Sequence, residues 1–202
     1  MKTRRSDLRS PARGFSMIEV LVTILVLVIG LLGMFGMQSR ASVVEMEAYQ
    51  QAQALALVKD MEARIRTNRA QFNAAFAAKY ADVQDPAMFG TESAVDCPGA
   101  LGALREVCQW SNSLLGAAET ITTSPASQVG AMIGARGCVM ALPVPTNAAV
   151  AEFFVVVVWQ GFKATGDPAA DTPGAVCAQD VDFGKGLRRA AILRVLVPKL
   201  EG

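Results

Sequence analysis

The first third of the chain is one long apolar run followed by a helical stripe. From Phe15 to Met37 the only charged side chain is that of Glu19. At about 1.5 Å per residue a helix over this run reaches roughly 35 Å, enough to cross the ~30 Å hydrocarbon layer of a membrane. Apolar residues then recur in steps of three and four as far as Ile65. The pattern predicts one helix from Phe15 to about Asn68.

Three glycines interrupt the helical pattern near the end of the apolar run, at Gly30, Gly33 and Gly36. Each interior glycine costs about 1 kcal/mol relative to alanine, so the helix is expected to bend or melt here. The alternative is close packing of these small residues against a neighbouring helix. The spacing leaves both alternatives open.

The last third of the chain contains three runs of apolar, β-branched and aromatic residues, at 138–145, 152–162 and 188–198. Turn residues separate them, and the pattern predicts an antiparallel sheet. The second run includes FFVVVV, which is apolar on both faces and therefore predicts the central strand. Between the second and third runs lies a long connection, 163–186, which Cys177 is placed to pin.

Residues 70–137 carry weaker patterns. The stretch 71–83 predicts either an extension of the long helix or a second short helix, and Asp85-Pro86 ends it. The stretch CPGALGALREVCQW is rich in small residues and gives no clear periodicity, and 120–137 is typical of a loop. The expected fold class is α+β, a long N-terminal helix, transmembrane in its first half, packed on a small antiparallel sheet.

Charge and composition place most of the chain outside the cytoplasm. Of the 202 residues, 52% are hydrophobic and 18% charged, so the chain is more apolar than an ordinary soluble domain. The first 14 residues hold five basic side chains and one acid, and basic flanks stay cytoplasmic. The remainder is net acidic, which argues against a nucleic-acid partner.

The four cysteines fit that outward location. They are even in number, none forms a C-x-x-C pair, and all lie in the outward part: Cys97, Cys108, Cys138 and Cys177. We predict two disulfides, each contributing about 2–4 kcal/mol. Four cysteines allow three pairings and the spacing does not choose between them. We favour Cys97 with Cys108, closing a small loop, and Cys138 with Cys177, tying the first predicted strand to the long connection.

Two ordinary explanations of the N-terminus leave a residue unexplained. A secretory signal peptide would have a shorter apolar core, although Ser39-Arg40-Ala41 has the small-x-small form of a cleavage site. A plain membrane anchor fits the length but predicts no carboxylate, because an acid at mid-helix costs roughly 2.5–3.5 kcal/mol on insertion scales. Neither explanation accounts for Glu19.

The stretch GFSMIE, followed by the apolar run, resembles the class III leader of type IV pilins and pseudopilins. The resemblance implies that 1–14 is a leader, that a prepilin peptidase cuts between Gly14 and Phe15, and that the new amino group of Phe15 is methylated. In that family the carboxylate four residues into the mature chain meets the amino group of a neighbouring subunit, so the resemblance assigns Glu19 to subunit assembly. Met17 stands where the family more often has leucine.

Later residues narrow the resemblance to minor pilins of the PilV type, the type IV pilus modification proteins. The stretches DMEARIRTNR, VVVVWQG and LRRAAILRVLVP carry it, whereas the middle of the chain carries none. The resemblance implies the pilin fold, divided into a transmembrane helix segment, 15–37, a periplasmic helix segment, 38–69, a variable connecting region, 70–137, and a sheet with a disulfide-pinned loop, 138–202.

The function implied is that of a structural subunit. It would be made in the inner membrane with its body in the periplasm, then enter a pilus at or near the tip, where it helps prime assembly and supports adhesion or twitching motility. The implied partners are prepilin peptidase, the major pilin and other minor pilins, the inner-membrane assembly platform, a tip adhesin, and lipid before assembly. The alternatives are a minor pseudopilin of type II secretion and a membrane-anchored periplasmic binding or enzymatic module.

Catalytic signatures are missing from the sequence. It contains no histidine, which removes His-based triads and the usual catalytic zinc sites. It also contains no G-x-S-x-G, S-x-x-K or Gly-rich phosphate loop. We therefore expect a protein that is not an enzyme and needs no cofactor or metal.

Three weaker sets of residues have ordinary interpretations. The acids Asp167, Asp171, Asp180 and Asp182 offer only a fragment of calcium-loop spacing and are interpreted as a solvated loop. Five arginines are interpreted as a solvated or subunit-facing patch: Arg64, Arg66, Arg69, Arg188 and Arg189. The two tryptophans, Trp110 and Trp159, are interpreted as core anchors.

Overall fold

The computed structural model describes residues 14–72, 74–91, 94–97, 99, 102–116, 120–121, 127–128, 132–143 and 150–198. The expected leader therefore lies outside the described residues except for Gly14, and about a quarter of the variable region lies outside them too. The chain divides into two compact units, Met1–Val44 and Glu45–Gly202.

The helices are α1 (Met17–Thr67), α2 (Ala74–Tyr80), α3 (Ala103–Leu114) and α4 (Pro173–Val176). The strands are β1 (Met88–Phe89), β2 (Thr120–Ile121), β3 (Ser127–Gln128), β4 (Arg136–Ala141), β5 (Val150–Gln160) and β6 (Arg188–Pro198). An antiparallel sheet has the order β1-β4-β5-β6, and β2 pairs with β3 separately. The predicted α+β fold, a long N-terminal helix and a small antiparallel sheet, is confirmed.

Within the first unit, α1 is apolar and exposed. Among the described residues it is the one helix long and apolar enough to cross a membrane, with a window of mean hydropathy 2.8. It stays helical through Gly30, Gly33 and Gly36, and a Cβ added at any of the three would meet no atom within 4 Å. The glycines therefore do not melt the helix, and they leave open space along it.

In the second unit, β5 is buried on both faces. Phe153, Val155 and Val157 point into one core cluster, while Val156 and Val158 point into another. The predicted central strand is confirmed, because β5 lies between β4 and β6. The sheet nevertheless extends beyond the predicted three strands, since β1 pairs with β4 from within the variable region.

The first face of the sheet is covered by helices. From α1 the buried residues are Gln50, Ala54, Val58, Met61 and Ile65. From α3 comes Trp110, which is fully buried and donates its indole N–H to the Leu57 carbonyl of α1 at 2.9 Å. Trp110 and Trp159 are both in the core, as predicted. The region expected to be irregular thus supplies a helix that locks α1 to the sheet.

Gly137 of β4 is what allows Trp110 to lie against the sheet. A Cβ built on Gly137 would stand 2.4 Å from Cη2 of Trp110 and 2.6 Å from Cδ1 of Leu114. Real Cβ contacts are not that short, and a buried indole ring has little freedom to move. The absence of a side chain at this position is therefore required by the packing.

Two disulfides hold the irregular segments, Cys97–Cys108 and Cys138–Cys177, with Cα atoms 5.7 and 5.8 Å apart. These are the pairings favoured from the sequence. The first ties the segment before α3 to the helix, and the second ties the long connection to β4 and the second face of the sheet. Cys138 and Cys177 are fully buried there with Met140, Val156 and Phe183.

Polar contacts fasten α1 to both ends of β6. Glu47 accepts the backbone N–H of Lys163 at 2.9 Å and the Arg189 guanidinium at 3.4 Å. Nineteen residues further along α1, Arg66 donates to the Leu196 carbonyl at 3.2 Å. The part of α1 after Glu45 therefore runs along β6.

We predict that Gly137→Ala destabilises the second unit by about 1–3 kcal/mol, because the added methyl overpacks the Trp110 site. The measurement is urea unfolding of the full chain in detergent micelles, followed by far-ultraviolet circular dichroism. Gly99→Ala is the control, since a Cβ there meets nothing within 4 Å. Equal unfolding free energies for the two variants would show that the tryptophan contact is not constraining.

Glu62 of α1 makes part of the fold's stability dependent on pH. A hydrogen bond from Lys59 lowers the pKa of the Glu62 carboxyl below its ordinary value of 4.5, Arg66 lowers it further, and partial burial opposes both. Folding thus favours the ionised carboxylate, and its contribution is present above pH 4.5 and is lost as the pH falls through the lowered folded value.

We predict that Glu62→Gln reduces the unfolding free energy most near neutral pH, and that its difference from the unmodified chain shrinks as the pH drops below 4.5. Urea titrations across this range measure the difference. Glu45→Gln, at an exposed carboxylate on the same helix, is the control. A difference that stays constant with pH contradicts the assignment.

Candidate processing and assembly site

The expected cleavage point lies immediately before α1. Gly14, Phe15 and Ser16 precede the helix, Phe15 is 83% exposed, and a Cβ on Gly14 would meet no atom within 4 Å. The Ser16 carbonyl accepts the backbone N–H of Glu19 at 3.0 Å and so begins the helix. An exposed bond outside regular structure is the kind that a peptidase can reach.

Glu19 occupies the first turn of α1, where backbone N–H groups lack intrahelical partners and the helix dipole favours an anion. Ser16 and Glu19 have the spacing of a capping box, but among the described residues neither side chain makes the capping hydrogen bond. This spacing can be read from the sequence, and our prediction did not use it. The carboxylate is therefore on the turn nearest to any amino group created at Phe15.

Glu19 differs from Thr23, another polar side chain of the apolar run. The Thr23 hydroxyl donates to the Val20 carbonyl at 2.8 Å, so its hydrogen bond is satisfied inside the helix. Within 14–72 and the other described segments, the Glu19 carboxylate has no hydrogen bond or ion pair. In hydrocarbon a polar group without an internal partner is costly. A cationic partner from another molecule would remove that cost.

Comparison with known families gives one match. Residues 9–35 match the family described as the prokaryotic N-terminal methylation motif. The match spans the cleavage point, Glu19 and most of the apolar run, but well under half of the chain. It supports a type IV pilin-like or pseudopilin protein that is processed by prepilin peptidase and anchored in a membrane by its apolar helix. Searches of curated proteins and of solved structures give no significant match.

The acidic loop considered for calcium is engaged with the backbone. Asp167 accepts the N–H groups of Gly186 and Arg188, and Asp182 accepts that of Gly184. In the described part of the chain no group of three or more His, Cys, Asp or Glu side chains is arranged to hold a metal. Asp167 and Asp182 therefore fix the local geometry of the loop.

The interpretation of the arginines as a solvated patch is wrong for Arg64, Arg188 and Arg189, whose side chains are partly buried, whereas Arg66 is exposed as expected. Arg64 pairs with Asp60 and Glu106, both at 2.8 Å. The remaining three also bind within the chain: Arg66 to Glu62 and Leu196, Arg189 to Glu47 and Lys163, and Arg188 to a set of carbonyls. The pairs of Arg64 with Asp60 and of Arg66 with Glu62 are four residues apart and could have been read from the sequence. The other partners are distant in the chain or are backbone oxygens.

Proposed function

We propose that this chain is a minor type IV pilin of the PilV type, which primes pilus assembly at the filament tip and supports adhesion or twitching motility. It is made in the inner membrane with its body in the periplasm, is cut between Gly14 and Phe15, and is methylated on Phe15. Its partners are prepilin peptidase, the major and other minor pilins, the assembly platform and a tip adhesin.

The observation that carries this proposal is that the Glu19 carboxylate, in the first turn of an apolar helix, has no partner among the residues that the structure describes. Cleavage after Gly14 creates a cationic amino group on Phe15, and methylation leaves that charge in place. A neighbouring subunit's amino group pairs with Glu19 when the helix leaves lipid for the filament. The charge that is costly in the bilayer is then neutralised, and the pair fixes the axial register of the two subunits.

The small residues Gly30, Gly33 and Gly36 on the exposed part of α1 support the same proposal. Small residues let the backbone of a second helix approach closely. The PilV type is favoured within the superfamily by the resemblance of 60–69 and of the strands β5 and β6.

We predict that the protein purified from cells with prepilin peptidase begins at N-methylated Phe15, as measured by intact mass and N-terminal sequencing. Gly14→Val leaves the leader in place, because it replaces the glycine after which the cut is proposed. Gly30→Ala, another glycine with open space around it, is processed normally. A chain that begins at Met1 or Ser42 in such cells contradicts the proposal and leaves an anchored or secreted periplasmic module.

We predict that Glu19→Gln leaves cleavage and membrane insertion intact but lowers incorporation into sheared pili by about tenfold, the effect of losing roughly 1.4 kcal/mol of pairing energy. Thr23→Val is the matched control, because it alters a polar side chain one turn away that is satisfied inside its own helix. The measurement is the ratio of filament to membrane protein by quantitative immunoblot.

Equal incorporation of the Glu19→Gln and Thr23→Val variants would show that Glu19 has no role in assembly. A second result would instead identify a minor pseudopilin. In that case the protein still enters a filament in cells that lack type IV pili, and it no longer does so in cells that lack type II secretion.

A further inference from the structure

The long connection between β5 and β6 is organised around one partly buried guanidinium. Arg188, the first residue of β6, donates to five backbone carbonyls of this connection, with distances from 2.7 Å at Ala178 to 3.4 Å at Gly174. The acceptors are Gly174, Ala175, Cys177, Ala178 and Val181. We call this set the carbonyl cage.

An aromatic ring covers one face of the guanidinium in the carbonyl cage. The Phe183 ring, itself buried, lies under Arg188 with its centroid 4.8 Å from Cζ. Ala178 adopts φ 54°, a left-handed conformation that is unusual for alanine, and its carbonyl makes the shortest of the five contacts. Burial lowers the pKa of Arg188, with Asp167 and Asp180 opposing the shift. The five carbonyl oxygens thus form a cation-binding site, and the cation that it binds is the guanidinium of Arg188.

The cage is formed over a shorter stretch of chain than the disulfide beside it. The Cys177 carbonyl lies 2.8 Å from Nη1 of Arg188, 11 residues away, whereas the Cys177 sulfur joins Cys138, 39 residues away. Closing the shorter loop loses less chain entropy. Arg188 is placed independently of the connection, because β6 pairs with β5 along its whole length.

We propose that Arg188 is a positioning residue for oxidative maturation: its guanidinium folds the connection onto the sheet while the cysteines are still reduced and so delivers Cys177 to Cys138. The carbonyl cage forms first and positions Cys177, and the disulfide then fixes the connection covalently. The connection therefore adopts its final course without a metal ion and before the covalent bond forms.

The chemistry of the locking step is thiol–disulfide exchange. One cysteine thiolate attacks an external disulfide oxidant such as glutathione disulfide, forming a mixed disulfide and releasing one thiol. The second cysteine then attacks the mixed disulfide, forms the Cys138–Cys177 bond and releases the second thiol. Two protons and two electrons leave the protein. The cage acts on the second attack, because it sets the local concentration of the Cys177 thiolate near Cys138.

The test is to equilibrate the full chain, in detergent micelles, in glutathione buffers of graded potential, quench it by alkylation and quantify both disulfides by mass spectrometry. We expect Arg188→Met to lower the effective concentration of the Cys138/Cys177 pair by about tenfold or more, since hydrogen bonds from charged donors are among the stronger ones. Arg188→Lys, with one nitrogen instead of a fork, should be intermediate.

Two controls distinguish a specific effect of Arg188 on the Cys138/Cys177 pair from a general loss of stability. Arg194→Met removes another guanidinium of the same strand, one paired with Glu152 outside the connection, and should change neither disulfide. The Cys97–Cys108 pair, read in the same samples, should be unaffected by Arg188→Met. No change in the Cys138/Cys177 pair, or an equal loss of both disulfides, overturns the proposal.

A second measurement retains Arg188 and does not depend on the folding of an Arg188 variant. In a chain carrying Cys138→Ser and Cys177→Ser, amide hydrogen exchange reports on Val176 and Val181, whose N–H groups bond to Thr172 and Ala178 within the connection. Protection of these amides without the disulfide supports the template. Exchange at the rate of an unstructured chain shows that the disulfide, and not Arg188, holds the connection.

Discussion

The second unit depends on burying β5 on both faces. A strand with valines on either side is stable only if each face is covered, and the two faces are covered by different means. On one side α1 and α3 supply a helical layer that contains Trp110. On the other side the layer is an irregular connection, and irregular backbone cannot cover a sheet unless its own polar groups are satisfied. The Arg188 guanidinium satisfies five carbonyls of the connection, and the Cys138–Cys177 disulfide fixes the connection to the sheet.

The regular elements could be predicted from the sequence because their patterns are local. The apolar run gave α1 to within two residues, and the β-branched runs gave β5 and β6. The helix α3 was missed because its small residues and the preceding Pro-Gly hid its periodicity. Its buried residues, Ala103, Val107, Trp110 and Leu114, nevertheless fall at steps of three and four, a signal that was present. The short strand β1 gives no such signal, since two residues form no pattern.

The residues of the candidate site also differ in whether the sequence alone could predict them. Gly14, Phe15 and Glu19 could be singled out because a charged residue in an apolar run can be recognised from the sequence alone. The roles of Arg188 and Glu47 could not be predicted, since both act on backbone atoms brought near by the sheet. Sequence reasoning therefore finds polar residues that are out of place for their surroundings, and it misses those whose surroundings are assembled only by folding.

The contact between Gly137 and Trp110 has an evolutionary consequence. The indole fills the space that a side chain on β4 would occupy, so neither position can drift by itself. A lineage that gains a methyl group at 137 must first shrink the ring at 110, and one that loses the ring leaves a void that a larger residue at 137 can fill. These two positions should covary across homologous chains, and the order of their changes should be recoverable from reconstructed ancestors.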